Sequence, residues 1–216
     1  VVTVAAGPGL AALFAEAGAT VVDAGPARRP SAGMILDAIV RAEAAEVIVL
    51  PNDHDSVRAA EIAARTAEED HGLRVAVIPS QAQVQGLAAL AVHEPGRSFD
   101  QDVLEMTATA RHARHGAVTV AAKQAMTMAG PCEPGDVLGV IGGDFVMVGD
   151  DLDTVACGIL DRLLGGGGEL VTLVSGVDGS DLASRCAAHL EERHPLVDAV
   201  VYDGGQERYV LLVSVE

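Results

Sequence analysis

Several short loops of this chain, each directly after an apolar run, carry residue types that could bind a ligand. They are Gly7-Pro8-Gly9, Asp23-Ala24-Gly25, Asn52-Asp53-His54-Asp55 and Ser80-Gln81. Glycine and Asx residues at the carboxyl ends of strands leave backbone N–H groups free for a small molecule or an acidic group. The same residues also make the turns and caps that any such sheet requires. A ligand-binding rim and ordinary turn chemistry are therefore both open interpretations.

The first two loops together resemble part of a dinucleotide-binding pattern. Gly7, Gly9 and Ala12 fit Gly-x-Gly-x-x-Ala after a strand, and Asp23 ends the next strand as a ribose-binding acid would. Two features disfavour a dinucleotide site. Asp23 follows the glycines after too few residues, and Pro8 lacks an N–H that a pyrophosphate could use. A dinucleotide-binding domain is kept as an alternative.

Two acidic groups have the composition of a cation or acid-base site. One is Asp53-His54-Asp55, and the other combines Asp144, Asp150, Asp151 and Asp153. The first group and Asp151 precede predicted helices, where carboxylates cap the first turn and complement the helix dipole, and Asp144 lies in a predicted hairpin turn. We predict capping in both cases, a solvated His54, and neither a metal ligand nor a catalytic residue.

A cation-rich spot is predicted where the first half of the chain ends. His112 and His115 stand at i and i+3, with Arg111 and Arg114 beside them. A helix C-terminus favours such residues electrostatically, so a binding role is not required to explain them.

Alternating strands and helices position the loops of the first half. Strands are predicted at 1–6, 20–22, 47–50 and 75–78, with a helix after each of the first three and further helices at 85–92 and 100–114. Ser31 is predicted to cap the second helix. This alternation predicts βαβ units and a parallel, Rossmann-like sheet covered on both faces, in a lobe of residues 1–114.

From His115 the pattern becomes mixed. A strand is predicted at 117–121, a turn at 131–135, a hairpin of 137–141 and 145–148, helices at 151–164 and 180–193, and strands at 170–174, 199–202 and 209–215. We expect the last two strands to pair with each other. Gly142-Gly143-Asp144 supplies the hairpin turn. Residues 115–216 are thus predicted to form a mixed α+β lobe with antiparallel edges.

Composition and charge narrow the class of protein. The 216 residues carry a formal net charge of −17, and half are apolar. Such a charge disfavours nucleic acid and anionic membranes, and no secretion signal or long apolar stretch is present, so we expect a cytoplasmic protein. Cys132, Cys157 and Cys186 are predicted to be reduced structural thiols. Because the chain starts with Val1 inside a strand, we expect a domain of a longer polypeptide.

A complete kinase site is not expected in this chain. It has no Gly-x-x-x-x-Gly-Lys-Ser/Thr loop, and Lys123 is its only lysine. Several segments in order nevertheless resemble the C-terminal region of the fatty acid kinase A family, also known as dihydroxyacetone-kinase-like (DAK2-fusion, YloV-type) proteins. These segments are VAAGPGLAALFAEAGATVVDAG, RPSAGMILDAIV, VIVLPNDHDSVRAAEIAA, VAVIPSQAQVQGLAAL, GAVTVAAKQ, EPGDVLGV, GELVTLVSG and YDGGQERYVLLVSVE.

The resemblance implies a fold shared with DegV-type lipid-binding proteins and with the dihydroxyacetone-binding subunit of dihydroxyacetone kinase. It also implies that an N-terminal domain of the same polypeptide binds ATP and magnesium. The C-terminal region is associated with docking a DegV-like carrier, whose fatty acid becomes an acyl phosphate. This chain would then be a non-catalytic docking module without a cofactor of its own. A homodimer is compatible with the sequence.

The resemblance directs attention to the loops of the first lobe. Partner- or ligand-binding roles are assigned to Gly7, Gly9, Ser31, Asn52, Asp53, Ser80 and Gln85. Relatives carry Gly-Gly-Gln-Thr-Met-Asn-Pro-Ser where this chain has residues 24–31, AGPARRPS, which puts a small-molecule role of that loop in doubt. The alternative is a protein that binds dihydroxyacetone or another small ligand for a kinase. Relatives of that kind use a histidine that has no match in this sequence.

Overall fold

The computed structural model describes residues 1–25 and 28–216. The chain forms two compact units, Val1–Ala113 and Arg114–Glu216. The division lies one residue before the lobe boundary predicted from the sequence. Each unit has its own hydrophobic core of aliphatic side chains.

The first unit contains a parallel sheet, in agreement with the predicted α/β class. Its strands are β1 (Val2–Ala5), β2 (Thr20–Asp23), β3 (Glu46–Leu50) and β4 (Arg74–Val77), in the order β2-β1-β3-β4. Its helices are α1 (Pro8–Glu16), α2 (Ala32–Arg41), α3 (Val57–His71), α4 (Gln83–Ala91) and α5 (Phe99–His112). Because the strands are parallel, the loops after them share one edge of the sheet.

Small residues let the helices of this unit approach the sheet closely. Helix α3 buries Ala60, Ala63 and Ala67 against the apolar side chains of the strands. The helix ends at Gly72, whose φ of 65° is the left-handed conformation that glycine adopts without a steric penalty. The 3.6-residue repeat of buried positions therefore directs this face of the helix inward.

The second unit is a mixed α/β structure. Its main strands are β5 (Arg114–Val120), β8 (Val137–Ile141), β9 (Asp144–Gly149), β10 (Leu170–Ser175), β11 (Asp198–Asp203) and β12 (Leu211–Val215), while β6 (Ala125–Thr127) and β7 (Gly130–Cys132) form a small separate hairpin. Its helices are α6 (Leu152–Leu164) and α7 (Ser180–Arg193). None of the helices in the described ranges has the length and apolar character needed to cross a membrane.

The order of the large sheet, β11-β10-β12-β5-β8-β9, corrects one predicted pairing. Strand β11 pairs in parallel with β10, and β12 lies between β10 and β5, so the predicted pairing of 199–202 with 209–215 is wrong. Every residue of β12 is buried, whereas β11 is largely exposed. The fully buried strand therefore takes a central position and the more polar one an edge. The edge at β11 is parallel, contrary to the prediction, and the opposite edge at β9 is antiparallel, as predicted.

The β8–β9 hairpin confirms the predicted turn. Gly142 and Gly143 have φ values of 60° and 93°, and Ile141 pairs with Asp144 across them. Two successive positive φ angles match the twist of the flanking strands. The predicted turn at 131–135 is only partly right, because Gly130–Cys132 belongs to β7.

Candidate functional site

The candidate site is the rim formed by the loops that follow β1 to β4. Gly7 precedes α1 with an extended backbone, and Pro8 occupies the start of that helix. Gly9 belongs to the first turn of α1 itself. Asp23, the acid of the dinucleotide alternative, accepts a hydrogen bond from the Gly25 N–H at 2.7 Å and so stabilises its own turn.

The loop before α2 ends at a helix cap. Ser31 Oγ accepts a hydrogen bond from the Met34 N–H at 3.2 Å, which confirms the predicted cap. Arg29, just before it, forms ion pairs with Asp53 and Asp55 of the next loop. The part of the sequence that departs from the family pattern includes Pro26 and Ala27, which lie outside the described residues.

Asn52 lies at the centre of a buried polar network. Its Nδ2 donates to Thr3 Oγ1 at 2.8 Å and to the Val4 carbonyl at 3.0 Å. Ser80 Oγ donates to Asn52 Oδ1 at 2.7 Å and accepts from the Asn52 N–H at 3.1 Å. Asn52 is 2% exposed and Ser80 is fully buried. One amide therefore links the ends of β1 and β3 to the loop after β4.

Two glutamines of α4 extend this network. Gln83 Nε2 donates to the Asn52 carbonyl at 3.1 Å. Gln85 Oε1 accepts from the Gln81 N–H at 2.9 Å, and its Nε2 donates to the Ala110 carbonyl at 2.9 Å. Sequence reasoning missed Gln83, although two glutamines in an otherwise apolar segment are a usable signal. Within the described residues, Gln83 Oε1 is buried and has no hydrogen-bond partner.

The burial of Asn52, Ser80 and Gln85 changes their predicted role. Their polar atoms bond to other parts of the protein, because a polar group removed from water must find partners. They hold the rim loops in place and do not themselves form a surface that a partner could touch. Exposed residues of the rim include Arg29, His54, Asp55, Gln81 and Ser31.

One residue of each acidic group acts as a helix cap, as predicted, whereas Asp144 begins β9 and Asp153 pairs with Arg185. Asp53 accepts from the Asp55 N–H at 2.9 Å and caps the 3₁₀ turn that leads into α3, while His54 is exposed to solvent. Asp151 accepts from the Thr154 N–H at 2.8 Å and from its hydroxyl at 2.7 Å. Both bonds lower the pKa of Asp151 below its usual value, and the bond from the Thr154 hydroxyl has the larger effect.

The predicted cation-rich spot does not form as expected. Helix α5 ends at His112, whose Nδ1 lies 2.8 Å from the Ala108 carbonyl, and His115 belongs to strand β5. The helical i, i+3 spacing therefore does not apply. Burial of the His115 ring lowers its pKa, so the neutral form is favoured and the histidine does not add positive charge.

Two histidine–aspartate clusters were missed by sequence reasoning. Asp102 is 3% exposed, and its carboxylate contacts the His93 ring nitrogen at 2.5 Å and the Arg97 guanidinium at 3.3 Å. The second cluster consists of Asp161, His189 and His194 in the second unit. Neither cluster follows a motif, and the second forms only because α6 and the end of α7 pack together.

Comparison with solved structures identifies the fold class. The chain is similar to a DegV family protein of Ruminococcus gnavus, with a TM-score of 0.73 at 12% identity over 99% of this chain and 98% of that one. It is also similar to the Fak B3 protein of Streptococcus pneumoniae, solved loaded with linoleic acid, with a TM-score of 0.67 at 15% identity over 87% and 76% of the two chains. The dihydroxyacetone kinase of C. freundii matches at a TM-score of 0.66 and 16% identity, over 100% of this chain and 47% of that one. The protein thus has the fold shared by DegV proteins and dihydroxyacetone kinase, as the sequence resemblance implied.

Sequence comparison assigns the chain to a particular protein family within this fold class. The chain belongs to the FakA-like C-terminal family, the C-terminal region of proteins like fatty acid kinase A, and this family matches residues 1–216. It is 30% identical to Protein YloV of Bacillus subtilis over 218 residues, and 27% identical to a protein of Staphylococcus haemolyticus over the same length. In both cases the match covers all of this chain and 39% of the relative.

Proposed function

We propose that this chain is the C-terminal accessory domain of a fatty acid kinase and docks a DegV-like protein that carries the fatty acid. ATP and magnesium would be bound by another domain of the same polypeptide. The observation that carries the proposal is the match of the FakA-like C-terminal family over residues 1–216.

The rim of the first unit is the surface that we assign to docking. Its loops are fixed from below by the buried Asn52 and Ser80 side chains, so they are held in one conformation before a partner arrives. Preorganised loops lose less conformational entropy on association. Above this layer, Arg29, His54 and Gln81 are exposed and offer hydrogen-bond donors to the partner.

The carrier is inferred from the chemistry of related proteins. The Fak B3 protein of Streptococcus pneumoniae was crystallised with linoleic acid, and it shares its fold with this chain. In our proposal this chain does not hold the acyl chain itself but binds the carrier that does. The fatty acid carboxylate would then be presented to the ATP-binding domain.

A binding measurement tests the docking role. The longer protein that contains this chain, and the 216-residue chain itself, would be titrated with the DegV-like protein of the same organism by calorimetry. We expect both to bind with similar affinity. Binding by the longer protein without any binding by the chain would contradict the proposal, because the docking surface would then lie elsewhere.

Charge reversal at the rim makes the test specific. Arg29→Glu removes the guanidinium that bridges to Asp53 and Asp55, and we expect it to weaken carrier binding at least about tenfold. Arg65→Glu is the matched control, since it makes the same charge change on the exposed face of α3. Equal losses in both variants would point to non-specific electrostatics. Heat with dihydroxyacetone and none with the carrier would instead favour the small-ligand alternative.

A further inference from the structure

Asp161, His189 and His194 bring three metal-ligating side chains together on the surface of the second unit. The Nε2 atoms of His189 and His194 lie 3.0 Å and 3.1 Å from the same carboxylate oxygen, Oδ1 of Asp161. The three ligand atoms all lie within 4.8 Å of one another. No residue of this cluster belongs to the rim assigned to docking.

Local backbone structure explains why two histidines that are five positions apart can converge. Within one helix such residues would point in different directions. His189 lies in the last part of α7, whereas His194 is its C-cap, with φ −134° and ψ 60°. The His194 N–H still closes the last turn on the Leu190 carbonyl at 2.8 Å, after which the chain leaves the helix. This change of direction returns the second ring to Asp161 on α6.

The two nitrogen–oxygen distances are close to those between ligands of a small divalent ion. Zinc binds imidazole nitrogen and carboxylate oxygen at about 2.0–2.2 Å, so two ligands of a tetrahedral site are separated by roughly 3.3–3.5 Å. The nitrogen–oxygen distances of 3.0 Å and 3.1 Å are only slightly shorter. Small side-chain rotations would therefore suffice for binding. The histidines are 22% and 30% exposed and the carboxylate 45%, which leaves a coordination position open to water.

The electrostatic state of the cluster favours a cation. Asp161 supplies a carboxylate, and carboxylates are ionised near neutral pH, as a metal ligand must be. The net charge of −17 also raises the local concentration of cations.

We propose that Asp161, His189 and His194 form a binding site for a divalent transition-metal ion of the zinc class. Two imidazoles and one carboxylate suit Zn²⁺ or Co²⁺, whereas Mg²⁺ prefers oxygen ligands. Each neutral histidine would bind through Nε2 with its proton on Nδ1. The ion would tie the C-terminal end of α7 to α6 and so stabilise the second unit.

Titration of the full chain, stripped of metal and free of any histidine tag, tests the site. We expect one Zn²⁺ ion to bind per chain by calorimetry, and no heat from Mg²⁺ at the same concentration. Co²⁺ should give visible absorption bands of a nitrogen- and oxygen-ligated ion, which Zn²⁺ then abolishes. If the unaltered protein gives no such bands, or binds Mg²⁺ equally well, the proposal is wrong.

Substitutions assign the ligands. Asp161→Asn keeps the shape of the side chain but removes the anionic ligand, and His189→Gln and His194→Gln each remove one imidazole. Each should weaken Zn²⁺ binding at least about tenfold, because even the loss of an outer partner of a ligand costs that much. His71→Gln, at an exposed histidine of α3, is the control and should leave the affinity unchanged. Unchanged binding in the three ligand variants would overturn the assignment.

Discussion

Asn52 is a single side chain on which the geometry of the rim depends. It adopts a φ of 57°, an uncommon conformation for a residue with a side chain that asparagine tolerates better than most. Its amide connects Thr3 and Ser80, which belong to different parts of the sheet edge. Gly86 lies directly against it, and a Cβ at Gly86 would stand 2.1 Å from Asn52 Oδ1. The network and the glycine therefore form one unit.

This contact predicts strong coupling between two substitutions. Gly86→Ala should lower the free energy of unfolding by about 1–3 kcal/mol, because the added methyl group displaces the Asn52 amide. Asn52→Ala should cost about 1–3 kcal/mol, since buried partners lose their hydrogen bonds. In the double variant the methyl group no longer meets the amide, so the combined loss should be smaller than the sum. Urea unfolding of the four proteins measures this coupling.

Gly33→Ala provides the control for the same experiment. Gly33 is an exposed helical residue of α2, and a Cβ there would meet nothing closer than Ser31 Oγ at 3.8 Å. We expect this change to stabilise the protein by about 0.5–1 kcal/mol. Strictly additive losses for Gly86→Ala and Asn52→Ala would contradict the contact.

At the residue scale, the sequence predicted which residues lie at the rim, but not whether their side chains are buried. Asn52 and Ser80 were expected at the rim because each follows a buried strand. The burial of Asn52 could not be predicted, because α4 approaches it closely at Gly86, and Ser80 is hydrogen-bonded to this buried side chain. The meeting of Asp161 with His189 and His194 had no sequence signal either, since it depends on how α6 and α7 pack and on the backbone of a C-cap.

At the scale of elements, helix ends allow a matched comparison of two serines. Ser31 and Ser98 are the N-cap residues of α2 and α5, but only Ser31 makes a side-chain capping bond. Ser31→Ala should therefore lower the free energy of unfolding by about 1 kcal/mol. Ser98→Ala should change it by less than about 0.5 kcal/mol, as ordinary surface substitutions do. Chemical denaturation followed by circular dichroism gives both values, and equal losses would show that the cap does not matter.

Elements with a strong local pattern were predicted well. The 180–193 helix agrees with α7, and the Gly142-Gly143 hairpin formed where the turn residues indicated. The pairing of β11 and β12 was predicted wrongly, because strands that are neighbours in sequence pair by default. The fully buried β12 lies between β10 and β5, and this arrangement depends on burial across the whole sheet.

At the scale of the whole molecule, each unit is built around a core of its own. In the second unit the core includes Leu160 on α6 and Leu173 on β10, both fully buried. We therefore expect residues 114–216, produced alone, to unfold in a single cooperative transition. Thermal denaturation followed by circular dichroism would test this.

The variant Leu160→Ala of the same piece serves as a check on its packing. Removal of a fully buried leucine should lower the free energy of unfolding by about 2–5 kcal/mol. A gradual loss of signal with temperature, unaffected by Leu160→Ala, would mean that residues 114–216 do not fold independently.

The family was the property of the whole molecule that the sequence predicted most directly. The ordered segments resembled fatty acid kinase A proteins, and the family match over residues 1–216 confirms this. The ligand-facing loops were less predictable, because similar turns serve binding and ordinary chain reversal alike. Gly7, Gly9 and Asp53 therefore remain predictions as docking residues, although the structure gives each a place at the rim.

The central place of β12 has a consequence for biosynthesis. This strand is translated after all the other strands of its sheet, yet it supplies the hydrogen bonds on both sides that join β10 to β5. Until Leu211–Val215 has emerged from the ribosome, the nascent sheet is split into two halves, each with an unpaired backbone edge. The second unit is therefore completed only after β12 has been synthesised, and until then the unpaired edges of the two halves can pair with other chains.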